Sequence, residues 1–237
     1  MIKAIVFDAY GTMISTGTGS VDAAQKILAT ACINDISLQD FYAEWKQYHR
    51  KHMNMACQAA VSLEYQISDR FLTEEKIFIL DLARLYEKYG VRRNPESDIH
   101  FMLDMLGKSR AFPESRTVLQ KLAEKYIVCV GSNTDTFPLI CDMRNNHLSA
   151  DMVFTSELLK CYKPNALFYD TISDNLKIEP CDILFVGDSI DDDVKGPQEA
   201  GMKTCWINRK HIKDSDILPD MEIYNLEELL NYVILCE

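Results

Sequence analysis

The chain has 237 residues, 47% of them hydrophobic and 26% charged, with a formal net charge of −11 at pH 7. That length holds one sizeable domain, or a core domain with a modest insertion. The acidic balance argues against a nucleic-acid backbone or an anionic membrane as main partner, since both repel such a surface, and leaves a small anionic substrate compatible.

Ile2–Phe7 reads as a short buried strand that runs into Asp8, with Tyr10, Gly11 and Thr12 close behind. An aspartate at a strand end is either an exposed nucleophile or a helix-capping residue. The strand is too short for the apolar region of a secretory signal, so a cytoplasmic location is expected. From about Ser15 to Lys108 no convincing strand follows. Helical periodicity appears at Val21–Ala31, Leu38–Cys57, Glu74–Tyr89 and Asp98–Leu106, with breaks at Gly17-Thr18-Gly19 and Gly107–Pro113. Residues 15–108 are therefore expected to form an all-helical cap, and residues 1–14 and 109–237 the core domain. His49 and His52, three apart on one helical pattern, are read as cap surface.

After a helical stretch, Ser115–Lys125, the run Tyr126–Val130 leads to Ser132-Asn133-Thr134, whose hydroxyl and amide donors suit an anion or a plain turn. Met152–Thr155 is a further apolar run. Lys163 precedes the helical pattern Pro164–Leu176, and Ile183–Val186 ends in Gly187-Asp188-Ser189-Ile190-Asp191-Asp192-Asp193. Carboxylates so crowded repel one another unless a cation or protons intervene. Thr204–Ile207 reads as a fifth strand and Tyr224–Leu230 as a closing helix with Asn225 near its cap. This alternation implies an α/β fold, a doubly wound Rossmann-like parallel sheet with an all-helical cap inserted after the first strand. Ligands of such sheets bind outside the carboxyl ends of the strands, where these polar residues gather. No stretch approaches the ~18 apolar residues of a membrane span. The eight cysteines show no CxxC pair and are expected to be reduced core thiols.

Taken in order, Asp8-x-x-Gly11-Thr12, Ser132-Asn133, Lys163-Pro164 and Gly187-Asp188-Ser189-x-x-x-Asp193 resemble the haloacid dehalogenase superfamily along the whole chain. The resemblance implies that Asp8 is a nucleophile that becomes esterified and is then released by water. Thr12 and Ser132 would bond the nucleophile or the substrate anion, with Asn133 completing the second motif. Lys163 would keep Asp8 ionised and aimed. Asp188 would bind Mg²⁺ together with the Asp8 carboxylate and the main-chain carbonyl of Tyr10. Asp192 or Asp193 would orient Lys163 or the metal's waters, with Asp192 placed among the metal residues.

Tyr10 stands where the superfamily's phosphatases usually carry a second aspartate, which protonates the leaving group. A phenol with an ordinary pKa near 10 replaces it poorly, and losing a positioned acid–base costs about 10²–10⁴ in rate. Halide leaves without a proton, and Asp8-Ala9-Tyr10-Gly11-Thr12 resembles the L-2-haloacid dehalogenase branch in particular. Tyr169, six residues after Lys163, matches that branch's pocket tyrosine, and Thr204–Arg209 its segment after the fourth motif. Lys46 stands where that branch has a substrate-binding arginine, and it would be an imperfect substitute for the planar fork. The fourth motif instead looks like the metal-dependent phosphatase version and favours bound Mg²⁺, which a true dehalogenase does not need. Hydrolysis of a small 2-haloacid is thus the first expectation, and a Mg²⁺-dependent phosphatase of a small phosphorylated metabolite the alternative. A phosphonatase-like P–C hydrolase and a catalytically silent binding module stand behind them. The resemblance also permits a homodimer.

Overall fold

A computed structural model describes residues 1–61, 71–106, 109–212 and 217–235; the side chains of residues 57–61, 104–106 and 233–235 are not described. In chain order the elements begin with β1 (Ala4–Phe7) and β2 (Ile14–Ser15), followed by four helices, α1 (Gly19–Thr30), α2 (Leu38–Val61), α3 (Glu74–Tyr89) and α4 (Pro95–Leu106). Next come β3 (Arg110–Ala111), α5 (Ser115–Leu122), β4 (Ile127–Ser132), α6 (Thr136–Asn145), β5 (Met152–Thr155), α7 (Ser156–Leu159) and α8 (Ala166–Leu176). The chain closes with β6 (Ile183–Gly187), α9 (Gly196–Glu199), β7 (Lys203–Ile207), β8 (Met221–Ile223) and α10 (Leu226–Leu235). Two compact units result, Met1–Ser15 with Arg110–Glu237, and Thr16–Ser109. Gly107 and Lys108, part of the second expected break, lie outside the described residues.

In the core unit six parallel strands run in the order β5-β4-β1-β6-β7-β8. Alternation along β1 explains why the sheet is covered on both faces. Ile5 and Phe7 enter one apolar cluster with Val118, Leu122, Leu139, Leu226 and Leu229, while Ala4 and Val6 enter another with Phe168, Ile172 and Phe185. Two elements were not legible in the sequence: β8, which extends the sheet by one edge strand, and the antiparallel pair β2–β3. The chain order moves outward from β1 in one direction through β4 and β5, then in the other through β6, β7 and β8. The reversal puts the carboxyl ends of β1, β4 and β6 side by side, at the crevice where such sheets bind ligands.

Among its described residues the second unit contains helices alone, α1 to α4, packed around Ala24, Ile27, Phe41, Trp45, Leu82, Leu85 and Ile99. Helix α3 carries strong local signals. The Thr73 hydroxyl accepts from the Lys76 N–H, Glu74 and Glu75 open the first turn, and Gly90 closes the helix at φ 65°. His49 and His52 are not plain surface residues. Their Nδ1 atoms lie 2.8 and 2.5 Å from the two oxygens of Asp81, an aspartate with no exposed surface. An acid on the inward stripe of α3 draws both rings toward the interior, because a buried carboxylate needs donors.

Among the described thiols Cys129, Cys161 and Cys205 are buried, but Cys32 and Cys181 are exposed, so burial holds for only part of the set. Among the described residues no helix is long and apolar enough to cross a membrane.

Candidate active site

The end of β1 places Asp8 beside its neighbours through the sheet itself. Its N–H bonds the Val186 carbonyl of β6 at 2.8 Å, and the residue is 7% exposed. Ser132, the last residue of β4, donates its hydroxyl to Asp8 Oδ1 at 3.0 Å. Lys163 Nζ donates to the same oxygen at 2.9 Å, to the Gly131 carbonyl at 3.1 Å and to Asp193 Oδ1 at 2.6 Å. The three ammonium protons are thereby all engaged. Asn133 fixes the lysine's backbone from both sides: the Lys163 N–H donates to Asn133 Oδ1 at 2.7 Å, and Asn133 Nδ2 donates to the Lys163 carbonyl at 3.0 Å. The two anions beside it hold the lysine's pKa above its ordinary value despite complete burial, so the ammonium persists through neutral pH.

The acidic loop after β6 begins with Asp188 and winds through Ile190–Lys195 as a π-helical turn capped by Ser189. Asp193 lies inside it, 1% exposed, with Oδ1 on Lys163 and Oδ2 accepting from the Ser189 N–H at 2.9 Å. Burial pushes its carboxyl up, against the pull of the lysine. Asp188 faces the candidate nucleophile. Its pKa is raised to about 6, first by burial and then by the charge of Asp8. Gly11, at φ 95°, makes room for it, since a Cβ there would come within 2.5 Å of the Asp188 carboxylate. Carboxylate oxygens of Asp8, Asp188 and Asp193 lie within 4.8 Å of one another.

Two expectations need correction. Asp192 was expected among the metal ligands, yet the acid that joins Asp8 and Asp188 is Asp193. The Asp192 carboxylate turns toward Asn133, 3.5 Å away. Burial raises its pKa to about 6 as well. The π winding accounts for the exchange, because it rotates successive side chains differently from a regular α-turn. Tyr169 was expected to touch substrate, but it has no exposed surface. Its hydroxyl donates to the Asp192 carbonyl at 2.6 Å, its ring packs edge-on against Phe185, and Gly196 provides its space. It braces the acidic loop from within the core.

Tyr10 is half-buried and donates its phenolic O–H to Asp142 Oδ2 on α6 at 2.8 Å. The Thr12 hydroxyl is fully buried and bonds neither Asp8 nor any other described atom. Lys46 belongs to the helical unit, exposed on α2, with its ammonium 4.8 Å from the centre of the Tyr42 ring. Two supports went unread in the sequence. Arg209 donates to the Thr12 carbonyl at 2.8 Å, pairs with Glu114 at 2.8 Å and lies 3.6 Å over the Phe112 ring, which ties down the turn after Asp8. The Trp206 indole donates to the Asp188 carbonyl at 3.0 Å. Both sit in Thr204–Arg209, which the sequence marks as a family segment without disclosing a role.

The model for the haloacid dehalogenase-like hydrolases matches residues 2–201. The chain belongs to that family. Pyrimidine 5'-nucleotidase PynA of Streptococcus pneumoniae is 26% identical over 237 aligned residues, which cover 97% of this chain and 94% of that protein. (S)-2-haloacid dehalogenase 4A of Burkholderia cepacia is 25% identical over 214 residues, 88% of this chain and 84% of that one. Among solved structures, the magnesium-bound HAD-hydrolase YfnB of Bacillus subtilis superposes with a TM-score of 0.80 at 20% identity, covering 100% of this chain and 99% of that one. Such family members therefore include both chemistries that the motifs suggest.

The donor set of Asp8 and Asp188 fits a hard divalent cation: both are carboxylates, and the lysine, paired with Asp8 and Asp193, neutralises only part of the charge. Asp193 fits less well as a ligand, because both of its oxygens already accept hydrogen bonds. Without the cation, ionised Asp188 is a burden on the fold. Its native pKa, about 6, lies above the ordinary 3.8, so the cost grows as pH rises from about 4 and is complete above about 6. Asp188→Asn removes it. In EDTA the variant is expected to be more stable than the parent by about 1–2 kcal/mol at alkaline pH, with the difference shrinking toward acid. Thermal unfolding on either side of neutrality checks this, and a gain that grows toward acid would contradict it.

Proposed function

We propose that the chain is a Mg²⁺-dependent phosphohydrolase of this family, acting on a small phosphorylated metabolite through an aspartyl phosphate on Asp8. The observation that carries this reading is Asp188, a carboxylate aimed at another carboxylate, with oxygens of Asp8, Asp188 and Asp193 gathered within 4.8 Å. A site that only displaces halide gains nothing from that repulsion. Held by Asp8 and Asp188, with the Tyr10 carbonyl as a third oxygen, Mg²⁺ would supply the positive charge that lets an anionic phosphoryl group approach an anionic nucleophile. The protein's own groups do the rest. Ser132 and Lys163 hold one oxygen of Asp8, Asp193 and Asn133 hold the lysine, and Tyr169 and Trp206 hold the acidic loop. The nucleotidase likeness and the magnesium in the YfnB structure support the same reading.

Dehalogenation keeps one specific support, the first motif with Tyr10 in place of an acid, together with the likeness to dehalogenase 4A. A direct comparison separates the two. Phosphate release is measured across sugar phosphates, nucleotides, aryl phosphates and acetyl phosphate, and halide release from (S)-2-chloropropionate, each with Mg²⁺ and with EDTA. Phosphate release that stops in EDTA is expected. Halide release that persists in EDTA would replace this reading with the dehalogenase one.

A further inference from the structure

The position two residues after Asp8 does more than lack a carboxylate. Its phenol has one proton, and that proton is on Asp142 Oδ2, 2.8 Å away. Asp142 is 2% exposed, and its other oxygen is buried with no hydrogen-bond partner among the described atoms, so the Tyr10 hydroxyl is this carboxyl's hydrogen bond. Withdrawing it would leave a buried acid without a donor, a loss of the kind that costs most. Among the described residues of the core unit, the other side-chain donors next to Asp8 are also engaged, and Asp188 would be held as a carboxylate by the cation. The Ser132 proton and one Lys163 proton lie on Asp8, the other two Lys163 protons on Gly131 and Asp193, and the Asn133 amide on Lys163. Thr12 is sealed from solvent.

We propose that the substrates of this site are phosphoric anhydrides, acyl phosphates or phosphate–phosphate linkages, in preference to phosphate esters of alcohols. The inference rests on the phosphohydrolase reading and narrows it. An alkoxide is about as basic as hydroxide, whose parent water has a pKa of ~15.7, and it leaves poorly unless a proton is handed to it. A carboxylate, whose acid has a pKa near ~4, leaves as it is. In the first step an Asp8 oxygen bonds to phosphorus and the bond from phosphorus to the carboxylate or phosphate oxygen breaks, that oxygen keeping the electron pair. No proton moves. In the second step water bonds to phosphorus, the bond to Asp8 breaks with its electrons returning to the carboxylate, and the water's proton goes to the released phosphate or to solvent. The same first-motif feature that resembles a dehalogenase then belongs to a phosphatase: both chemistries suit a group that departs without protonation.

The test uses the full chain with Mg²⁺ and four substrates: acetyl phosphate, inorganic pyrophosphate, p-nitrophenyl phosphate and glycerol 3-phosphate. At least one anhydride is expected to exceed glycerol 3-phosphate in kcat/KM by about 10²-fold or more, the range a missing general acid produces. Activity on acetyl phosphate alone assigns the acyl class, and activity on pyrophosphate alone the phosphate–phosphate class. Tyr10→Phe is expected to change the rates on anhydride and ester by the same factor, since its proton reaches neither. Glycerol 3-phosphate turned over within tenfold of the better anhydride would overturn the proposal, as would a selective loss on the ester in Tyr10→Phe. Phosphate release that is flat across leaving groups overturns this inference alone. Release from none of the four, with Mg²⁺ present, overturns the phosphohydrolase reading and this inference with it.

Discussion

Asp8→Asn is expected to fold normally and to lose activity by about 10⁴-fold or more, because an amide nitrogen or oxygen cannot take the carboxylate's place as nucleophile. The fold should not suffer. Asp8 caps no helix: its main-chain N–H bonds Val186 whatever the side chain, and both side-chain bonds fall on one oxygen. The substitution also removes a negative charge that raises the pKa of Asp188. The thermal midpoint of the variant in EDTA should therefore equal or exceed the parent's, while phosphate release disappears. Normal melting with retained activity would mean that the reaction bypasses this carboxylate.

Lys163→Met is expected to damage stability as well as activity. Lys163 is 3% exposed, and its ammonium pairs with Asp8 and Asp193 at 2.9 and 2.6 Å. Its removal leaves two buried acids facing one another, and breaking a buried pair from one side costs about 3–5 kcal/mol. Urea unfolding at neutral pH measures the loss. Its pH dependence has a definite sign. With the lysine gone, Asp193 loses the attraction that opposes burial, so its native pKa moves further above its unfolded value. That deficit is largest where the acid must ionise and shrinks as pH falls and the acid accepts a proton. Adding Asp193→Asn to Lys163→Met should recover a large share of the stability, since the uncompensated charge is then removed. A single variant as stable as the parent would show that the buried pair contributes nothing to the fold.

What could be read in the sequence and what could not divides along physical lines. The buried strands of the sheet were legible because apolar runs that end abruptly in Asp8, Ser132 and Asp188 are hard to explain otherwise. The strand β8 has only Met221, Glu222 and Ile223, too few for periodicity to register, and its place is set by pairing with β7. Asp192 and Asp193 are adjacent, and which one turns inward depends on a local π winding that composition does not encode. Tyr169 has the spacing of a site residue and the surroundings of a core residue, and spacing alone cannot tell which way a ring points. Asp142 carried a faint signal: it is an acid beside Met143 and three residues from Leu139, on the buried stripe of α6. Its meaning emerged only with the Tyr10 phenol beside it.

The most direct test of the account is to find the covalent intermediate. The protein is mixed with acetyl phosphate and Mg²⁺, quenched in acid within a turnover, digested and examined by mass spectrometry. The account predicts a phosphoryl group on the peptide that contains Asp8, absent in EDTA and absent in Asp8→Asn. Phosphate release without such an adduct, or an adduct on any other residue, would contradict it.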